Sequence, residues 1–385
     1  MLQLRYGMNP QLAARVVAVD DCAPPIQILS GRPSYINLLD ALNAWQLVRE
    51  AGASLGRPVA TSFKHVSPAG AAASGGIDTV MREIWDVDPS GLSPAAAAYI
   101  RARDCDPKSS FGDFVGVSVP VDPALAHVLA SVVSDGVIAP GFEPGVMGVL
   151  SKKKGGSFVV IEADPNFEPP EWERREVFGV ELAQQVEHLP ITGAGVQAGT
   201  PDRLPERAVD DLVLAMVTAR YTQSNSVTFA KDGMVLGVGA GQQSRVDCTK
   251  LAGAKVDTWW LRRHPAVRSV RFRSVIRRQD RINWQVRYIE GDLMSDERQR
   301  LNEAVHKVPE PISKKERSLW LQELAEVAMA ADGFIPFRDN IDHAVRHGVR
   351  YIAHPGGSTR TEEIGKACAE HGVVLVSTGM RLFHH

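Results

Sequence analysis

The sequence predicts an α/β fold with a largely parallel sheet. Short apolar runs alternate with stretches of helical spacing, and the alternation returns in both halves of the chain. Gly, Pro, Asn and Asp punctuate the joins. The chain has 385 residues, 44% hydrophobic and 23% charged. That is the make-up of a soluble globular protein with room for roughly two to three domains.

The elements follow in order. The first helix is expected over residues 34–52, where Leu38, Leu39, Leu42, Trp45, Leu47 and Val48 fall near helical spacing and Gly52 can end it. Pro58 to Phe63 reads as a buried strand. It runs into Lys64-His65-Val66-Ser67-Pro68-Ala69-Gly70, which Pro68 and Gly70 mark as a loop. Ser93 to Arg103 is an alanine-rich helix with Pro94 in its first turn. Phe114 to Val119 and Val137 to Ala139 are strands around a helix at Pro123 to Val133. Asp164 to Arg174 and Thr200 to Glu206 are polar and Pro-rich, so the stretch between them reads as peripheral. Asp210 to Arg220 is an amphipathic helix. Ser226 to Ala230 and Met234 to Val238 flank Lys231-Asp232-Gly233, a hairpin signal. Gly239-Ala240-Gly241 leads into a helix over Gln242 to Trp260. Residues 262–312 are charged and read as a helical excursion on the surface. Lys314 to Ala331 reads as helix, Tyr351 to Ala353 as strand, Thr361 to His371 as helix and Val373 to Ser377 as strand. Two similar lobes are an open reading.

Charge and cysteine content narrow the function classes. There are 43 Lys and Arg against 45 Asp and Glu, a formal net charge of −2. Non-specific binders of nucleic acid or acidic membranes carry a basic excess instead. No apolar run approaches the roughly 18 residues of a membrane span, and the N-terminus lacks the regions of a signal peptide. Cys22, Cys105, Cys248 and Cys368 are far apart, with no CxxC pair for zinc or redox work. They read as reduced thiols of a cytoplasmic protein.

Five segments can carry chemistry, and each has a plainer reading. Lys64-His65 ends a strand, where ligands of open α/β sheets bind. The pair can supply a cationic donor and a base, or be a surface Lys beside a hydrogen-bonded loop His. Asp106 to Phe114 can aim backbone N–H groups at a ligand, or be a capped turn. Arg220 to Val227 carries five consecutive hydrogen-bonding residues, which implies a ligand or a dense internal network. Gly237 to Arg245 is Gly-rich between a strand and a helix, yet lacks the third glycine of a dinucleotide fingerprint. Gln and Arg there point to side-chain recognition, or the turn is only a tight exit. Phe334 to Asn340, His354 to Ser358 and Arg381 to His385 suit a flat heterocycle, or core Phe with an Asp cap. His343 and His347 have metal-ligand spacing without the Glu of HExxH, so a solvated helix face is expected. The zinc deaminase pattern HxE…PCxxC is absent.

Taken together, Leu4-Arg5-Tyr6-Gly7-Met8-Asn9-Pro10, Lys64 to Gly70, Tyr221 to Val227, Gly241-Gln242-Gln243-Ser244-Arg245 and Arg381-Leu382-Phe383-His384-His385 resemble AICAR transformylase. The likeness is closest to the eukaryotic type of the bifunctional purine enzyme and spans essentially the whole chain. The family's cyclohydrolase domain precedes the Arg-Tyr-Gly segment. Here the chain starts almost at that segment, so a stand-alone transformylase is expected.

The resemblance implies formyl transfer from 10-formyltetrahydrofolate to the 5-amino group of AICAR in purine biosynthesis, giving FAICAR and tetrahydrofolate. It implies two zinc-free, cytidine-deaminase-like α/β lobes, residues 1–199 and 200–385, with a smaller helical part at about 262–312 in the second. It implies a homodimer with sites at the interface, no zinc, and a monovalent cation such as K+ as a structural aid. Lys64 and His65 would be the catalytic pair, and Asn225 would hold the reacting amide and formyl groups. Arg5, Tyr6 and Arg381 would bind the nucleotide phosphate. Asn37, Gly112 and Asp135 would contact the nucleotide, with Arg245 on the substrate side. Phe337, Asp339 and Asn340 would line the folate pocket, Asp339 against the pterin.

Two departures stand out. The family's Asn-Pro-His-Gln reads Asn9-Pro10-Gln11-Leu12, and its Ser-Asp-Ala-Phe-Phe-Pro-Phe reads Ala331-Asp332-Gly333-Phe334-Ile335-Pro336-Phe337. The rival readings are a non-catalytic AICAR or folate binder and an ATP-dependent formate ligase. No P-loop GxxxxGK[ST] is present.

Overall fold

The computed structural model describes residues 2–17, 19 and 24–385. Eleven strands form one central sheet. They are β1 Ile26–Ser30, β2 Val59–Lys64, β3 Ser67–Ala73, β4 Asp113–Val117, β5 Ser134–Ala139 and β6 Val159–Ala163, then β7 Val227–Lys231, β8 Met234–Gly239, β9 Val327–Ala331, β10 Val349–His354 and β11 Val374–Ser377. Across the sheet the order is β11-β10-β9-β7-β8-β3-β2-β4-β5-β6-β1. Both halves follow one plan. A hairpin, β2–β3 or β7–β8, pairs its first strand antiparallel with β4 or β9, and two parallel neighbours follow. The halves join where β3 and β8 pair antiparallel, Ala72 opposite Met234.

Four principal helices cover the two faces. α1 (Tyr35–Leu55) and α3 (Glu206–Arg220) pack on one face, while α2 (Pro94–Cys105) and α4 (Arg245–Leu261) pack on the other. α1 starts at a capping box in which Ser34 accepts from the N–H of Asn37, and it runs past Gly52 to Gly56 in the left-handed region. Gly52 serves packing instead: a Cβ there would lie 2.8 Å from that of Ser118.

The sheet is mixed rather than largely parallel. The miss lies at residues 64–70, where no loop exists. β2 turns straight back into β3 through His65-Val66, whose φ angles are 53° and 60°. This is the mirror-image turn that Asn-Gly ordinarily signals, and a β-branched residue there is an outlier. Pro68 is tolerated because the register slips opposite it, between Ser62 and Phe63. Gly70 is required, since a Cβ would sit 2.3 Å from the carbonyl oxygen of Ala102 in α2.

A second expectation also fails. The helix from Lys314 stops at Gln322, and Val327–Ala331 is the buried strand β9. Glu326, at φ 60°, breaks the chain direction between them. A short apolar run does not reveal its own period.

Residues 262–322 form the helical excursion, with helices Pro265–Arg268, Arg278–Glu290, Ser295–Ala304 and Lys314–Gln322. It has its own small core around Leu261, Val267, Val270, Tyr288, Ile289, Leu301 and Val305. Arg262 and Arg263 tie it to α2 by pairing with buried Asp104 at 2.7 and 3.3 Å. The peripheral stretch holds an exposed two-stranded ribbon, Trp172–Val177 and Val180–Gln185. Cys105, Cys248 and Cys368 are buried free thiols; Cys22 lies outside the described residues. No helix among the described residues is long and apolar enough to cross a membrane.

The close approach of β3 to α2 gives a direct test. Gly70→Ala is expected to cost about 1–3 kcal/mol through overpacking. Gly76→Ala, whose Cβ would meet nothing within 4 Å, is expected to unfold like wild type. Chemical denaturation of both variants decides it.

Candidate functional site

The first cluster gathers at the β2–β3 turn. Lys64 ends β2, and its Nζ donates to the carbonyl of Gly112 at 2.8 Å. Gly112 has φ 73°, and a Cβ there would stand 3.1 Å from that Nζ, so the glycine makes room for the lysine. His65 is exposed at the turn. The Val66 N–H donates to Oδ1 of Asp40 at 2.6 Å, which fixes the turn against α1. Asp40 is 5% exposed. Burial pushes its carboxyl up to about 6, while the Val66 hydrogen bond and the nearby His65 and Lys64 pull it back. Asp135, at the start of β5, pairs with Lys154 at 2.7 Å.

The N-terminal segment lies along the start of α1. The Arg5 N–H donates to Pro33 and the Tyr35 N–H to Tyr6, at 2.9 and 3.0 Å. Arg5 Nη2 donates to the Tyr6 hydroxyl at 2.7 Å. The Asn37 side-chain oxygen accepts from Ser34 in the capping box at 3.0 Å. A depression of about 680 Å³ lies beside this segment, bordered by Gly7, Met8, Asn9, Arg15 and Tyr35.

The second cluster surrounds Asn225. Its Oδ1 accepts from Arg245 Nη2 at 2.8 Å, and its Nδ2 donates to the Gln242 carbonyl at 3.0 Å. The Cys248 thiol donates to its backbone oxygen at 2.9 Å. Arg245 was expected on the substrate side. It is 7% exposed, and its Nη1 is committed to the Ser226 carbonyl and to buried Asp332. It positions Asn225. Asp332 also accepts from Ser224 Oγ at 2.6 Å and the Ser226 N–H at 2.9 Å. A cleft of about 440 Å³ opens here, lined by Ser224, Asn225, Gly241, Gln242, Phe383 and His385.

Phe337 and Asp339 are exposed, whereas Asn340 is fully buried. The Asn340 amide donates to the Phe337 carbonyl at 3.1 Å and to Asp339 at 2.9 Å, so it holds those two in place. Arg381 stacks over Phe383 at 5.1 Å.

The two clusters touch. The Gln223 N–H donates to Ser67 Oγ at 3.4 Å, two residues beyond His65. Arg381 belongs to the second cluster, and no hydrogen bond or ion pair links it to Arg5 or Tyr6 among the described residues. Gly237 and Gly239 turn out to serve packing: a Cβ at either would meet an α4 carbonyl at 2.2 Å. His347 is not on a solvated face either. It is largely buried and its Nδ1 meets Asp257 at 2.7 Å. No group of three or more His, Cys, Asp or Glu that could hold a metal ion occurs among the described residues. Sequence reasoning missed Asp40, whose signal was an acid between Leu38 and Ala41 on a buried helix face. It also passed over Asp332.

Comparison with known proteins identifies the lineage. Residues 1–255 match the model of the AICARFT/IMPCHase bienzyme family. The chain belongs to that family. It is 28% identical over 386 residues to the bifunctional purine biosynthesis protein PurH of Ruegeria sp. (strain TM1040), covering 99% of this chain and 59% of that protein. The PurH of Roseobacter denitrificans is also 28% identical, over 388 residues, with the same coverage. The chain thus spans about 59% of the length of these relatives.

For this family member, Asp40 gives a pH test. Its folded pKa of about 6 lies above the ordinary 3.8. Its stabilising effect is therefore full below about pH 3.8 and lost as pH rises through about 6. Asp40→Asn keeps an acceptor for Val66 without the buried charge. It is expected to be more stable than wild type at pH 8, by up to about 3 kcal/mol. The gap should close as pH falls through 6 toward 4. Denaturant midpoints of both proteins across this range check it, and a gap independent of pH counts against a buried ionisable Asp40.

Proposed function

We propose that this chain transfers the formyl group of 10-formyltetrahydrofolate to the 5-amino group of AICAR, giving FAICAR and tetrahydrofolate in purine biosynthesis. One observation carries the reading: the turn bearing Lys64 and His65 is bonded to the loop bearing Asn225 through Gln223 and Ser67. Family membership supports it.

The residue types fit the chemistry. The AICAR amine is conjugated with its ring and carboxamide, so it is a poor nucleophile. His65 takes its proton as the nitrogen attacks the formyl carbon. Lys64 and Asn225 meet the oxyanion that forms on the formyl oxygen. The carbon–N10 bond then breaks, and Lys64, directly or through water, supplies the proton that N10 needs. Gly112 and Asp40 hold Lys64 and the turn. Arg5, Tyr6 and Arg381 would meet the phosphate, with Asn37 and Asp135 on the nucleotide. Phe337 and Asp339, held by Asn340, would take the pterin.

In the same reading, the repeated strand plan corresponds to two zinc-free cytidine-deaminase-like lobes, 1–199 and 200–385, the second carrying the helical excursion. The active form is a cytoplasmic homodimer. The ribbon supports a second copy: Trp172, Val177, Phe178, Val180 and Leu182 are all exposed on it. A monovalent cation such as K+ would serve as a structural aid.

Purified protein with AICAR and 10-formyltetrahydrofolate is expected to release tetrahydrofolate. Binding without turnover would favour a non-catalytic binder, and turnover only with formate and ATP a ligase. His65→Ala is expected to lose about 10²–10⁴-fold in kcat while AICAR still binds. Lys64→Ala should lose at least as much, the two losses should not add fully, and Lys64→Arg should rescue poorly. A folded His65→Ala protein with near-normal kcat would sink the assignment.

A further inference from the structure

One cavity stands apart from both clusters. It holds about 380 Å³ and is lined by Lys314, Arg317, Ser318, Leu321, Gln322 and Arg346. The first five recur at i, i+3, i+4, i+7 and i+8, so they make one face of the helix Lys314–Gln322. A stripe with this spacing ordinarily turns apolar side chains toward a core. Here it turns two cations, a hydroxyl and an amide into a cavity, with Leu321 as its one apolar side chain. Arg346 completes the lining from the turn Val345–His347, just before β10.

The three cations lack counter-charges. No carboxylate lines the cavity, and among the described residues none of the three forms an ion pair. The acids near them are engaged elsewhere. Asp342, one helical turn before Arg346, pairs with Arg338 at 3.2 Å and His371 at 2.8 Å. Glu290 pairs with Lys108 at 3.5 Å and Arg287 at 3.4 Å. Glu316 and Glu323 stand on the other face of the helix, with His264 and Trp320. Arg317 itself donates only to the neutral carbonyl of Ile289. Three positive charges around one space draw an anion to it.

Both walls are fixed, and both rest on α4. Trp260 of α4 and Trp320 each donate an indole N–H to the other's carbonyl, at 2.8 and 3.1 Å, which seats the helix. On the other wall His347 meets Asp257 of α4 at 2.7 Å. Gly348, at φ 76°, lets the chain pass so close that a Cβ there would lie 2.4 Å from the Leu324 carbonyl oxygen. The place is remote from the candidate site. β9 and β10 run parallel; the cavity lies where they begin, whereas Asp332 follows where β9 ends. The six residues of β10 span about 20 Å.

We infer that this cavity binds a polyphosphate group, as borne by free pyrophosphate or by a nucleoside diphosphate. Two linked phosphates carry about three negative charges near neutral pH, which matches the three cations. The guanidinium forks of Arg317 and Arg346 each take a pair of phosphate oxygens, and Lys314 adds a point charge. The Ser318 hydroxyl and the Gln322 amide are neutral donors beside them. No aromatic ring lines the cavity, so the base of a nucleotide would stay in solvent and the phosphates alone would be read. The inference does not rest on the formyl-transfer reading, since the cavity shares no residue with that site.

The test is calorimetric titration of the full chain with inorganic pyrophosphate. Saturable binding is expected at low salt, weakening as salt is added. The double variant Arg317→Gln, Arg346→Gln is expected to bind at least about tenfold more weakly, and Lys314→Gln, at the exposed rim, about threefold more weakly. Arg381→Gln, which alters the other candidate phosphate contact, is expected to keep the affinity. Inorganic phosphate is expected to bind at least about tenfold more weakly than pyrophosphate. ADP that binds like pyrophosphate and is lost in the double variant shows that the phosphates alone are read. ADP that binds more tightly, and is lost in the same variant, assigns the site to a nucleotide. Either sustains the inference. No saturable binding to wild type, unchanged affinity in a folded double variant, loss in Arg381→Gln alone, or phosphate binding as tightly as pyrophosphate overturns it. If the double variant does not fold, Lys314→Gln decides: weakened binding sustains the inference, and unchanged binding overturns it.

Discussion

The seam between β3 and β8 decides where everything else lies. It is short, with Ala72 opposite Met234 and the Ala73 N–H donating to the Gly233 carbonyl at 2.9 Å. Arg101 of α2 locks it from within. Its guanidinium donates to the carbonyls of Ala73, Gly76 and Asp232, so one buried cation satisfies oxygens from both halves. Burial pulls its pKa down from the ordinary value. Because β3 and β8 run antiparallel, closing the seam at Ala72 puts the start of β3 beside the end of β8. That brings Ser67, and His65 just before it, next to Gln223 and Gly241. The juxtaposition of the two clusters is thus a consequence of sheet pairing, not of a flexible loop.

The site is then held by buried carboxylates rather than by apolar contacts. Asp332 gathers Arg245, Ser224 and Ser226 around Asn225, which leaves the amide only one place to stand. Networks of this kind are costly when half satisfied and rigid when complete. Most of the polar atoms found at Asn225 have partners inside the protein. Sequence motifs that looked like ligand-binding loops therefore divide in two. The run from Thr222 to Ser226 is a dense internal network that presents Asn225, and the glycines at 237 and 239 are packing spacers.

Much of the fold was legible in the sequence, because helix caps, apolar runs and the Asp-Gly turn act locally. Ser34, Ser93 with Pro94, and Asp232-Gly233 each sit where the local signal placed them. The failures share a cause. His65-Val66 adopts a turn whose usual residues are missing, and Val327–Ala331 is a strand written in alanine. In both, tertiary contacts override local preference: the Asp40 hydrogen bond in the first, burial between two neighbouring strands in the second. The candidate site was legible as residue types but not as roles. Arg245 and Asn340 could be named from the sequence, yet only their burial shows that they position other groups.

The repeated plan also sets its two hairpin turns in different surroundings. Asp40 is the sixth residue of α1 and Asp211 the sixth of α3. Each accepts N–H groups from the turn of the hairpin that follows: Val66 in the first half, Asp232 and Gly233 in the second. Burial pushes both carboxyls up to about 6. The device is the same, but the surroundings differ. The second turn is Asp-Gly and is sealed into the seam by Arg101, whose guanidinium donates to the Asp232 carbonyl. The first faces outward with Lys64 and His65 on it. Since the two hairpins run in opposite directions, their turns lie at opposite ends of the sheet. The turn of one half therefore meets the open end of the other at each end. At one end that meeting is filled by Arg57 and Arg101. At the other, Ser67 Oγ receives the Gln223 N–H, and the positive-φ backbone of His65 and Val66 is held by Asp40, which stands in α1 where Asp211 stands in α3. Strain of this kind persists where surrounding contacts over-determine it, and such places are where function concentrates.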